Sequence, residues 1–131
     1  MYHFSTQVNG DIETVEQRVT EALKAEGFGV LTHIDVQKTM KEKLGESYRP
    51  YRILGACNPP FANRALRAEP EIGLLLPCNV VVRETEEGSV EVGFMDPEAV
   101  LTLVNRPEVK ELAAEVRARL LRVRDAVASA R

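Results

Sequence analysis

The sequence is poor in the features that usually announce a function. It has no tryptophan and only 5% aromatic residues, so a nucleic-acid surface built on aromatic stacking platforms is not expected. Its two cysteines, Cys57 and Cys78, are too few for a secreted disulfide scaffold and too far apart for a Cys-x-x-Cys redox motif. His3 and His33 have no ligand-like spacing, so two thiols and two distant imidazoles make a poor zinc set. No window approaches the roughly 18 consecutive apolar residues of a spanning helix. The opening Met1-Tyr2-His3-Phe4-Ser5 is not a basic region followed by an apolar run, so no signal peptide is expected. A glycine-rich nucleotide fingerprint, a phosphate-binding loop and a Gly-x-Ser-x-Gly elbow are all missing. Charge is nearly balanced, with Lys+Arg 17 against Asp+Glu 20 for a formal −3, which is no basic footprint for nucleic acid. The expectation is a soluble, reduced, cytoplasmic protein with no cofactor, no metal, no membrane or nucleic-acid partner, and no catalytic constellation.

What is present is the composition of one globular domain, residues 1–131, with 44% hydrophobic and 28% charged residues. Tyr2, Phe4, Thr6 and Val8 alternate with polar residues as a strand. Asn9-Gly10-Asp11 then breaks the strand and offers a helix cap. Ile12, Val15, Val19, Ala22 and Leu23 follow at helical spacing up to Gly27. Phe28–Asp35 reads as a second strand, with Phe28, Val30, Thr32 and Ile34 on one side and His33 on the other. A short helix to Leu44 is stopped by Gly45. Tyr51–Cys57 is a third strand, and Phe61–Ala68 has helical spacing. The apolar run Ile72–Arg83 is interrupted at Pro77, which marks an edge, a bulge or a strand break. Glu86-Glu87-Gly88 turns into a strand over Val90, Val92 and Phe94. After Asp96-Pro97, a last helix from Arg106-Pro107 to about Ser129 carries the seam Val109, Leu112, Val116, Leu120, Val123, Val127. That seam packs either on the sheet or on a partner chain. The expected fold is α/β (α+β) in two layers: a mixed sheet of about five strands, its final two antiparallel, in the order βαβαβαββα.

The chemistry-bearing residues are a repeated pair. Cys57-Asn58 closes one strand, Cys78-Asn79 sits in a second apolar run, and the cysteines are 21 residues apart. If the two strands are neighbours, both pairs meet at one end of the sheet. Three readings stand beside each other. The cysteines are small buried hydrophobes with asparagines serving local backbone; or both pairs line a ligand or thiol-chemistry site; or the cysteines are disulfide-bonded. Arg49, Arg52, Arg64 and Arg67 either hold a carboxylate or phosphate, or form a solvated face and ion pairs with Glu69 and Glu71. Pro59-Pro60 removes two N–H groups from the helix start beside them, which weakens any anion site there.

Three segments carry a resemblance: Tyr51–Pro60 (YRILGACNPP), Gly73–Val82 (GLLLPCNVVV) and Lys43-Leu44-Gly45. They resemble the bacterial and archaeal family called domain of unknown function 302, over almost the whole chain from Phe4 to the final helix. The resemblance implies a compact two-layer α/β domain, paired as a homodimer, and carries no activity and no catalytic residue. The residues most exposed to a functional role are therefore Cys57, Asn58, Cys78, Asn79 and Arg52. The function expected is a homodimeric small-ligand-binding or interaction domain. The alternative is a thiol-dependent enzyme or redox sensor using the two Cys-Asn segments.

Overall fold

In the computed structural model, which describes residues 1–129, the chain runs β1 (His3–Val8), α1 (Ile12–Ala25), β2 (Gly29–Asp35), α2 (Val36–Leu44), β3 (Tyr51–Cys57) and α3 (Pro59–Ala68). A 3-10 turn (Pro70–Leu75), β4 (Cys78–Glu84), β5 (Val90–Met95), α4 (Pro97–Leu101) and α5 (Pro107–Ser129) complete it. The helices start where the sequence offers caps. Asp11 Oδ1 accepts from Thr14 N at 2.7 Å, Asp35 Oδ1 from Lys38 N at 2.9 Å, and Asp96 Oδ1 from Glu98 N at 2.9 Å. Pro77 is a strand break: its peptide bond to Leu76 is cis, and β4 begins at the next residue.

The α/β two-layer class and the five strands are as expected, but the sheet is antiparallel throughout rather than mixed, in the order β1-β5-β4-β3-β2. Alternation of strands and helices says nothing about which strands are neighbours. Here α2 and the α3–3-10 segment return the chain beside the strand it has just left, so each consecutive pair runs in opposite directions. Four antiparallel pairings make the two edge strands, β1 and β2, parallel to one another, and α1 is the crossover that joins them across the sheet.

One sheet face carries the helices. From α1, Ile12, Val15, Val19 and Leu23, and from α5, Val116, Leu120, Val123 and Val127, pack on Leu54, Val80, Val82, Val92 and Phe94. Each such side chain contributes about 1.5–3 kcal/mol by leaving water, and this layer is the chief support of the fold. The α5 seam is buried along its full length, and from Val116 onward it lies against its own sheet. Its N-terminal part, Val109, Leu112 and Ala113, serves a second cluster with Ala65, Ile72 and Leu101.

The opposite face is left free by α1 and α5. Its middle row is Ser5, Gly93, Val81, Ile53 and Ile34, read across the strands by register. The side assignment expected for β2 is corrected here. A bulge at Leu31, between Val30 and Thr32, shifts the register. It leaves Val30 and His33 opposite Ala56 and Leu54 on the helix side, while Thr32 and Ile34 face the uncovered side opposite Gly55 and Ile53. An extra residue in one strand reverses the parity of everything beyond it.

Candidate functional site

The two clusters do not close completely on one another. Between them lies a cavity of about 320 Å³, walled by α3, the 3-10 turn and the end of the sheet. Small side chains create it: Ala56 at the floor, Ala62 and Ala65 on α3, and Gly73 in the turn all face it. Larger groups frame it, among them Phe61, Leu76, Leu101 and Leu112. Leu31 and Leu66, 68% and 41% exposed, stand at its mouth. The β2 bulge is what brings Leu31 there.

Cys57, Asn58 and Cys78 all line this cavity. Register accounts for it: Ala56 pairs with Cys78 across β3 and β4, so the end of one strand abuts the start of the other. Both thiols are free. Burial pushes the Cys57 thiol up from its ordinary value, and it pushes Cys78 up to about 12, with the neighbouring Cys57 adding to the effect. At neutral pH both are neutral, soft, weakly polar surfaces.

Asn58 is 7% exposed. It occupies the cap position of α3 without a side-chain bond to that helix; Pro59 and Pro60 remove two of the N–H groups there, and the Phe61 N–H is not taken up by it. Its Nδ2 instead donates to the Glu26 carbonyl at 3.5 Å. The same carbonyl accepts from Arg119 Nη1 at 2.9 Å, and the Arg119 guanidinium lies 5.1 Å from the centre of the Phe61 ring. The end of α1, the start of α3 and the middle of α5 are thereby tied together behind the cavity wall.

The other two residues of the expected site are elsewhere. Asn79 is one residue beyond Cys78 in a regular strand, so it projects to the uncovered face, in a groove with His3, Tyr51 and Arg83. Arg52 is held near the opposite end of β3, donating to Glu13 at 2.8 Å and to Glu16 at 3.1 Å. His33 Nε2 meets the same Glu16 oxygen at 3.0 Å. These contacts fasten α1 to β2 and β3 and hold Arg52 away from the cavity, while Arg64 and Arg67 lie together beside Glu108 on the surface. Arg67 bonds to Asn63 at 3.2 Å, and Glu69 is 3.8 Å from Arg106. The small residues that open the cavity were not singled out in the sequence. Their signal is a helix, α3, with alanine where leucine would fill the interface. Among the described residues no group of three or more His, Cys, Asp or Glu side chains is placed to hold a metal ion, and no helix is long and apolar enough to cross a membrane.

The fold is an antiparallel sheet with one helical layer, and its apolar cavity is lined by two neutral thiols and the buried residue Asn58. The chain belongs to the family described as domain of unknown function DUF302, whose model matches residues 4–127. It is similar to an uncharacterised protein of Aquifex aeolicus (strain VF5), 33% identical over 84 residues. That match covers 64% of this chain and 52% of the relative, so it spans about half the relative's length. It is also similar to a crystal structure of an uncharacterised conserved DUF302 protein from Bacillus stearothermophilus, with a TM-score of 0.88 at 35% identity. That likeness covers 96% of this chain and 98% of the other.

Proposed function

We propose that this protein binds a small, largely apolar molecule in the cavity between α3, the 3-10 turn and the sheet, as a cytoplasmic prokaryotic homodimer. The observation that carries the reading is the lining. About 320 Å³ of space is bounded almost wholly by apolar side chains, with two neutral thiols among them. This lies at the small end of ligand-pocket volumes. The thiol-dependent enzyme or redox sensor is less well supported, because such chemistry needs an accessible thiol of lowered pKa and burial moves both thiols the other way. Two free cysteines suit a reducing compartment, and the relatives described above are bacterial proteins.

The test uses the neutral fluorescent probe N-phenyl-1-naphthylamine on the purified protein and on Ala62→Phe, which fills the cavity from a partly exposed position on α3. The wild type binds the probe saturably at micromolar concentration, and the filled variant keeps its circular dichroism while losing at least ten-fold in affinity. Equal binding by both proteins, or none by the wild type, refutes the cavity as a ligand site.

Support for the homodimer comes from the uncovered sheet face. Val81, Ile53 and Ile34 form an apolar row across it, Ile34 being 47% exposed. The charges beside the row neutralise each other, since Arg83 pairs with Glu91. A neutral apolar face meets a copy of itself without like-charge repulsion, as a two-fold interface requires. The expected result is a dimer by light scattering at micromolar concentration, converted to monomer by Val81→Glu. A monomeric wild type overturns the pairing and leaves the cavity untouched.

A further inference from the structure

We propose that the sheet face left free by α1 and α5 holds a second ligand site, a groove over Gly93 that takes a flat, uncharged heterocycle of the nucleobase kind. The groove has a volume of about 440 Å³ and shares no lining residue with the cavity described above. Its floor is the row Ser5, Gly93 and Val81, paired across β1, β5 and β4. Gly93 lies inside β5 with no positive φ, and an added Cβ there would meet nothing within 4 Å. The fold therefore asks for no glycine at this point, and glycine inside a strand weakens it. What the missing side chain does is bare the β5 backbone between Glu91 and Met95, which strand geometry sets about 13 Å apart. A planar ring fits that gap and lies against the peptide plane, where a puckered molecule makes less contact.

Polar groups gather at both ends of the floor. Ser5 and Asn79 are exposed, project to this face by strand alternation, and make no side-chain hydrogen bond among the described residues. A hydroxyl and a primary amide offer both donors and acceptors to the rim of a ring. His3 stands at the same end, its ring centroid 4.8 Å from that of Tyr2. Its Nδ1 is buried without a hydrogen-bond partner, and among the described residues no other buried side-chain nitrogen or oxygen is left so. At the other end Arg83 donates to Glu91, which also accepts from Gln7 at 3.3 Å, and Tyr51 flanks the pair. The full charges in the groove are thus matched within it. An anion would be repelled by Glu91 and a cation by Arg83, so the arrangement favours a neutral guest. Val81 also belongs to the row proposed for pairing, and the groove borders that row on the β1–β5 side.

The experiment titrates isotope-labelled protein with adenine and with uracil, flat neutral rings whose rims differ in donors and acceptors, and follows the amide resonances. Saturable binding of at least one ring is expected with a Kd at or below about 1 mM. The largest shifts are expected at the Gly93 and Ser5 amides and the Asn79 side-chain amide. Gly93→Leu, whose side chain enters open space, should keep its circular dichroism and lose about ten-fold or more in affinity. Should that variant not fold, Asn79→Ala decides, with a loss of about three-fold or more expected. No binding of either ring, or undiminished binding by the folded variants, overturns the proposal. Shifts confined to residues of the α3 cavity overturn the groove as the site, and tighter binding of methyl glucoside, a puckered neutral molecule, overturns the flat-ring class.

Discussion

Gly55 sits in β3 opposite Thr32 of β2 and Asn79 of β4, on the sheet face left free by α1 and α5. Its backbone is ordinary strand, so alanine there is not strained in φ; the question is one of space alone. A Cβ at this position would stand 2.2 Å from Thr32 Oγ1 and 2.8 Å from Pro77 Cγ. Both fall well inside van der Waals contact, and the two neighbours differ in what they can do. The Thr32 hydroxyl can leave by rotation about χ1, and without it the nearest Thr32 atom is Cβ at 3.5 Å, an ordinary contact. The Pro77 Cγ can shift only as far as a change of ring pucker allows, and its residue immediately precedes β4, so relief there is more restricted than at Thr32. Overpacking of this kind costs about 1–3 kcal/mol. Gly55→Ala is therefore expected to lower stability by that amount in urea titrations followed by circular dichroism, with an unchanged m-value. Thr32→Ala alone, at an exposed position, should stay within about 0.5 kcal/mol of wild type. The double variant should recover at least about 0.5 kcal/mol relative to the sum of the singles. A Gly55→Ala protein as stable as wild type, or strict additivity of the pair, refutes the reasoning.

Three further outcomes follow from the site. Cys78 should contribute stability that is full below pH 9 and lost above it, because its pKa is 9.0 as a free thiol and about 12 when folded. The unfolded state alone ionises in that window, so the stability gap between wild type and Cys78→Ala should shift against the wild type by about 1.4 kcal/mol from pH 8 to pH 10, and a pH-independent gap contradicts the burial. In the native protein iodoacetamide should modify Cys57 more slowly than a free thiol and leave Cys78 untouched until unfolding, as peptide mapping will show; rapid native labelling of Cys78 would contradict its 6% exposure. Arg52→Ala should cost about 1–3 kcal/mol, since besides the surface carboxylate of Glu13 it donates to the largely buried Glu16, and should leave probe affinity unchanged; a ten-fold loss of affinity would return Arg52 to the site.

Local signals in the sequence were enough to place most elements, because they depend on neighbours in the chain. Asp11, Asp35 and Asp96 cap the helices they precede, and the six apolar residues of the α5 seam are all buried. Pairing direction was not legible, since a helix between two strands is compatible with an adjacent parallel crossover and with the return taken here by α2 and α3. The β2 bulge was not legible either. Its consequence, moving His33 to the side of α1, follows from a single residue, Leu31, that no periodicity distinguishes from its neighbours.

The repeated Cys-Asn pair shows how far identical dipeptides can part. Cys57 ends its strand, so Asn58 escapes the alternation of the sheet and turns with the chain into the α3 start, staying beside the cavity with its neighbour. Cys78 begins its strand, so Asn79 is bound by the two-residue period and must face the other way. Position relative to the strand terminus, rather than the residues themselves, separates a cavity-lining asparagine from one on the uncovered face. The cavity has a similar origin. No single large-to-small choice makes it; alanine at 56, 62 and 65 and glycine at 73 fall on three different elements that converge only in the fold. Filling any one of those positions is consistent with a soluble α/β domain, and a core selected only for stability would be expected to fill them. Space retained from three directions around a buried amide is the physical ground for reading the site as a place for a ligand.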